Sequence, residues 1–399
     1  MRIYLDHSAT TPTDVRVLKA MMPYFSHKFG NPSSIHQFGQ EARHAVDKAR
    51  ADIARLINSS PEEIVFTSGG SEADNLGIRG IVESNAKMRG DNSIPHIITS
   101  KIEHKAVLDT IKKLEKEGKI RATYLKPGRN GRILATGVKK AIKTKTILVS
   151  IMYVNNETGV IQPIREIGKM IEKINEEKAK KGKSEKIYFH SDAVQAASFM
   201  NLDVKYLHLD IMTLSAHKIY GPKGIGLLYL KKGTPISAQI TGGEQENGRR
   251  AGTENVASIV GFAKALKTAN SKQQTANSRI RKLRNYFEEE VIKEIPGVII
   301  NGDWEKRAPH ISNLSFKGAE GESILLSLDL ENIAASSGSA CTSGSLEPSH
   351  VLMAMGVKPI LAQSSIRFSL GKENTKREID YTVLKLKKII KRLRRISTI

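Results

Sequence analysis

Apolar and polar positions alternate along this chain with two different periods. Over 41–57, 106–117 and 164–177 the apolar residues recur every three to four positions, the spacing of one buried helix face. Between them lie short runs rich in β-branched residues, at 63–66, 96–99, 146–151 and 187–190. Strand–helix alternation of this kind, from about residue 15 to 260, predicts an α/β domain around a mainly parallel sheet. Past residue 262 a long helical stretch runs from 263 towards 292, and mixed short strands and helices follow. We therefore expect a large domain over 15–261, and a smaller α+β domain built from 1–14 and 262–399. Near the C-terminus Leu386, Ile389, Ile390, Leu393 and Ile396 share one helical face, with Lys and Arg between them. That pattern suits a helix docked on its own domain with a solvated basic face better than one lying on a membrane.

Composition narrows the classes. The 399 residues are 39% hydrophobic and 26% charged, ordinary globular usage that excludes disorder and collagen-like repeats. The apolar run 147–154 is far shorter than the roughly 20 residues a bilayer demands. An acid at Asp6 comes too early for a secretion signal, so a cytoplasmic protein is expected. The formal charge of +22 points to acidic or phosphorylated partners, yet the basic residues are dispersed and no nucleic-acid motif accompanies them. Direct nucleic-acid binding is not expected. Cys341 is the only cysteine, and no two of the 11 histidines stand at i, i+4, so neither a disulfide nor a metal centre is expected.

Four segments carry candidate chemistry. In the first, residues 64–66 run as a strand into Ser68-Gly69-Gly70-Ser71 and then a helix. Glycines let a ligand approach the backbone, and helix-start N–H groups attract an anion such as phosphate, although a plain serine-capped turn reads the same way. In the second, Ser215-Ala216-His217-Lys218 stands between a strand end and a Gly/Pro loop. A lysine held there can bond an aldehyde, and a surface lysine is the alternative. The third is Asp192, just past an apolar strand, where it either keeps a pyridine nitrogen protonated or caps a helix. The fourth is Ser336-Ser337-Gly338-Ser339-Ala340-Cys341-Thr342-Ser343-Gly344, a small polar segment around the single thiol. Structural cysteines prefer apolar surroundings, so this one is a candidate mobile nucleophile or an inert thiol.

Taken together, these segments resemble the cysteine desulfurases of the NifS/IscS type, pyridoxal-phosphate enzymes of the class V aminotransferase group. The likeness continues through Tyr4-Leu5-Asp6, Gly30-Asn31-Pro32-Ser33-Ser34, Asn155-Asn156-Glu157-Thr158-Gly159, Arg249-Arg250-Ala251-Gly252-Thr253 and Ser365-Ile366-Arg367-Phe368-Ser369. It spans nearly the whole chain.

The resemblance implies the pyridoxal-phosphate transferase fold of type I, with a seven-stranded, mainly parallel sheet in the large domain. It implies that Lys218 bonds the cofactor and moves protons at the substrate Cα. Asp192 would pair with the ring nitrogen and Gln195 with the ring oxygen, while His104 would stack on the ring and assist proton transfer. Gly70, Ser71, Ser215 and His217 match the phosphate cradle, to which Thr253 of a second subunit adds a contact, so a homodimer with shared sites is implied. Asn156 and Arg367 match the pair near the substrate carboxylate. Cys341, on a mobile loop at about 334–346, would take sulfur from L-cysteine as a persulfide. An iron–sulfur scaffold protein would then receive it, and tRNA-thiolation proteins are further acceptors of this type. A selenocysteine lyase or another class V enzyme is the alternative, since neither requires a cysteine on such a loop. A non-catalytic basic binding protein on the same fold is disfavoured by the presence of Lys218, Asp192 and Cys341 together.

Overall fold

The structure, a computed structural model, describes residues 1–89, 93–182, 185–271, 273–337 and 347–396. The chain opens with β1 (Ile3–Tyr4), α1 (Val15–Met21) and α2 (Gln37–Leu56). Next come β2 (Ile64–Thr67) feeding α3 (Gly70–Arg89), β3 (His96–Ser100) feeding α4 (Lys105–Lys116), and β4 (Arg121–Leu125). β5 (Thr146–Ser150) and α5 (Ile164–Lys180) precede β6 (Tyr188–Asp192), β7 (Ile211–Ser215) and β8 (Gly226–Leu230).

These strands form one seven-stranded sheet in the order β2-β8-β7-β6-β5-β3-β4. Only β8 opposes the others, being antiparallel to both β2 and β7. β3, β5, β7 and β8 are buried along their full length, because helices cover both faces of the sheet and leave no side for polar residues. The strands expected from β-branched runs are present. β4, β7 and β8 were not picked out by that pattern; β4 is an edge strand whose residues are only half covered.

The second unit holds α6 (Val256–Ser271), α7 (Gln273–Glu294), β9 (Val298–Ile300), β10 (Ile311–Phe316), α8 (Gly321–Leu330) and β11 (Ile333–Ala334). α9 (His350–Ala354), β12 (Ser365–Ser369) and α10 (Lys376–Ile396) complete it. β12, β10 and β9 form an antiparallel sheet, and β1 pairs in parallel with β11. The apolar core follows a different division from the chain order. Phe262, Ala263 and Leu266 of α6 join the core of the large sheet, as do Val351 and Leu352 of α9. Ile3 and Leu5 pack instead with Phe287, Phe316, Phe368 and Leu386. The expected boundary at 261/262 therefore falls inside α6.

Leu386, Ile389, Ile390 and Leu393 of α10 are buried against that second core, so the C-terminal helix docks on its own domain. Ile396, expected on the same face, is exposed at the last residue of the helix.

Candidate active site

In open α/β sheets the loops beyond the carboxyl ends of the strands meet at one edge. Here that edge gathers the Ser68–Gly70 turn after β2, the turn to His104 after β3, the segment to Asn156 after β5, Asp192 ending β6, and Lys218 three residues past β7. Five sequence-distant segments are thereby brought to one place.

The N-terminal segment crosses this edge as a strap. Lys218 Nζ donates to the carbonyl oxygens of Ser8, at 2.5 Å, and Ala9, at 2.7 Å. Gln195 Nε2 donates to the same Ser8 oxygen at 2.9 Å, leaving its second amide proton for another acceptor. Thr11 ties the strap down, its hydroxyl donating to His217 O at 2.8 Å and accepting from Tyr220 N at 2.7 Å.

Asp192 is buried, and its Oδ1 accepts from Val194 N at 2.9 Å. Burial first, then the charge of Asp74, push its carboxyl up to about 6, against the pull of His104. Asp74, His104 and Asp192 place ligating atoms within 4.8 Å of one another. His104 caps α4, its Nδ1 accepting from Ala106 N at 3.1 Å, so the remaining ring nitrogen, Nε2, carries the proton of the neutral ring. Directly before it, Glu103 is fully buried, and burial pushes its carboxyl up to about 8.

The turn after β2 has the shape of an anion cradle. The first N–H groups of α3 have no partner within the helix, Gly70 lies among Val194, Ser215 and Thr213, and Ser71 stands exposed at the mouth. A Cβ on Gly226 would come within 2.5 Å of Gly69, so β8 supports the turn only because that residue is glycine. Ser215 is buried beside it. Burial, with Lys218 and Lys223 nearby, lowers His217 to about 4, which leaves a neutral imidazole for hydrogen bonding. Thr253 is exposed on this chain.

On the opposite wall, Arg367 of β12 donates from Nη1 to Asn156 O at 3.0 Å and from Nη2 to Asp6 Oδ1 at 2.8 Å. Its buried Nε has no acceptor among the described residues. Arg367 and Ser336 also exchange backbone hydrogen bonds, at 2.7 and 3.1 Å. On the far side, His350 Nε2 meets Glu103 O at 3.1 Å and Ser349 is hydrogen-bonded to Glu157. Both flanks of 338–346 are thus tied to the site. Cys341 itself lies outside the described residues, as does most of its expected loop.

The profile of the class-V aminotransferases matches residues 3–382. The chain belongs to that family. A curated relative, cysteine desulfurase IscS of Dictyoglomus turgidum, is 48% identical over 395 residues, which is 99% of this chain and 96% of the relative. A solved structure described as a NifS-like protein is 36% identical with a TM-score of 0.88, covering 98% of this chain and all of the other. Another, described as SspA in complex with cysteine, is 35% identical with a TM-score of 0.79 over 94% of this chain. Family members of this kind use pyridoxal phosphate. The residues present fit that group. A buried carboxyl at the end of β6 suits a protonated ring nitrogen, the α3 start suits a phosphate, and Lys218 lies three residues past the neighbouring strand β7.

Four residues near the site had no signal in the chain. Asp74 reads as an ordinary helical acid and Glu103 as a helix-flanking one, and Ser8 acts through its backbone oxygen, to which side-chain identity is indifferent. Asp6 stands within the Tyr4-Leu5-Asp6 match, which by itself assigns it no part in the site.

Proposed function

We propose that this chain is a cysteine desulfurase, converting L-cysteine to L-alanine and leaving the sulfur as a persulfide on Cys341. What carries the reading is the meeting of Lys218, Asp192 and His104 at one sheet edge, with the two flanks of the Cys341 segment tied beside them. Pyridoxal phosphate, when bound, supplies an electron sink for charge developing at the substrate Cα.

The residues then divide the work. Gly70, Ser71, Ser215 and His217 hold the phosphate. Asp192 keeps the ring nitrogen protonated, and Gln195 offers its free amide proton to the ring oxygen. Lys218 anchors the cofactor and moves the Cα proton, with His104 as a second proton carrier. Arg367 and Asn156 receive the substrate carboxylate, to which a guanidinium presents two parallel donors. The Cys341 thiolate attacks the substrate sulfur and the carbon–sulfur bond breaks. Its electron pair stays with the carbon fragment, which is protonated to alanine.

A homodimer is supported by the exposed apolar side chains of Val15, Leu18, Met22, Phe25, Phe29 and Phe38, which fall close together along the chain and which a second subunit would cover. In such a pair Thr253 would reach the neighbouring phosphate. We assign the sulfur to an iron–sulfur scaffold protein, and the site of action to the cytoplasm, where a lone thiol stays reduced. Among the described residues no helix is long and apolar enough to cross a membrane.

The test is alanine and sulfide formation from L-cysteine under a reductant, in wild type and Cys341→Ala, with the visible spectrum recorded. A yellow protein that is active only with Cys341 supports the reading. Undiminished sulfide from Cys341→Ala would remove the persulfide route, and a protein that takes up no pyridoxal phosphate would remove the whole assignment.

A further inference from the structure

Asp74 takes no part in the reaction derived above, yet it is one of the least accessible carboxylates in the chain. It lies on the first turns of α3, four residues past Gly70, with 1% of its surface exposed. Its Oδ1 has no hydrogen-bond partner among the described residues and faces His190 Nε2 at 3.5 Å. His190 stands two residues before Asp192 on β6, so both side chains leave the same face of the sheet. Its ring is held from both sides, Nδ1 at 2.8 Å from Ser150 Oγ and Nε2 at 3.2 Å from Thr213 Oγ1. A buried carboxylate with an open oxygen is costly unless something gains from it.

We propose that Asp74 is a positioning residue for the cofactor ring: held against His190, it places a second negative charge behind Asp192 and strengthens the hold of Asp192 on the protonated ring nitrogen. This rests on the pyridoxal-phosphate reading above. The ionisable groups around Asp74 are His190 and Asp192 on β6, with Glu103 and His104 in the turn before α4. β7 and β8 face α3 with Ile211, Thr213 and Leu228, none of which titrates. The carboxylate acts on Asp192 by Coulomb repulsion through a water-poor interior, where screening is weak. Pairing with a cation relieves that repulsion, so the ring binds more firmly in its protonated form.

The experiment loads wild type, Asp74→Asn and Asp74→Glu with pyridoxal phosphate and follows the visible band of the bound cofactor against pH. Asp74→Asn keeps the shape and removes the charge. Its spectral midpoint should fall by roughly one pH unit, the scale of a neighbouring charge, and its affinity for the cofactor should fall with it. Asp74→Glu, which restores the charge, should move the midpoint back towards wild type. A purely structural Asp74 would lower thermal stability in both variants and leave the midpoint where it is, and that result overturns the proposal. Should Asp74→Asn fail to fold, Asp74→Ser carries the same comparison with less bulk. A wild type without a visible band that depends on Lys218 would instead overturn the cofactor reading itself.

Discussion

Arg367 and Asp6 stand near opposite ends of the chain and form an ion pair, Nη2 to Oδ1 at 2.8 Å, with the arginine side chain almost wholly buried. Asp6 also bridges to Ser369 on the strand that carries the arginine, where Leu5 and His7 exchange backbone hydrogen bonds with Ser369, so the N-terminal strap and β12 are joined by more than the ion pair. The carboxylate fixes one edge of the guanidinium, and the buried Nε, without an acceptor among the described residues, is left for another group.

A hydrogen bond to a charged group contributes about 1.5–3 kcal/mol. Arg367→Ala should therefore raise KM for L-cysteine by roughly 10- to 100-fold, while the cofactor spectrum without substrate stays as in wild type. Asp6→Asn, which leaves an acceptor in place, should raise it less. Steady-state kinetics of the two variants checks the order.

Gly226 supports the phosphate turn from below, because its missing Cβ is what lets Gly69 pass within contact. Gly226→Ala must push that backbone aside, and overpacking of this kind costs about 1–3 kcal/mol. We expect the affinity for pyridoxal phosphate to fall by about tenfold, through the displaced turn. Fluorescence titration of the cofactor-free protein measures this directly.

Glu103 links stability to pH. Its carboxyl is raised from 4.5 in the open chain to about 8 in the fold. The fold thus binds the proton more tightly than the unfolded chain does. This contribution is fully present below pH 4.5 and is lost as pH rises towards about 8, at about 1.4 kcal/mol per unit while the two states differ. Glu103→Gln, neutral throughout, should gain on wild type steadily across that window. Thermal melts of both proteins at the two ends of the range would reveal a constant difference if this is wrong.

Arg307 and Glu288 form a two-pronged pair at 2.6 and 2.7 Å, both side chains sealed from solvent. Removing either partner strands the other charge. Glu288→Gln and Arg307→Met should each cost about 3–5 kcal/mol, and the double variant should recover part of the loss. Urea denaturation of the three proteins provides the cycle.

Much of the architecture can be read without coordinates. A buried strand advertises itself by a run of β-branched residues, and an amphipathic helix by its period, so β2, β3, β5, β6 and the helices between them are legible. Lys218, Asp192 and the Gly70-Ser71 turn are legible too, because each needs a residue type that the surrounding pattern does not otherwise call for. Local pattern carries no information about contacts between distant segments. Nothing near Ser8 announces that its carbonyl oxygen is shared by Gln195 and Lys218. Nothing near Asp74 sets it apart from any helical aspartate until β6 brings His190 and Asp192 against it. The run of α6 into the large core while its successor α7 enters the other one is likewise invisible to periodicity. Residue types and local elements available to the chemistry are written in the order of amino acids along the chain. Their charges, partners and shared enclosure were decided only by tertiary packing, since burial and Coulomb energy depend on distance in space and not on separation along the chain.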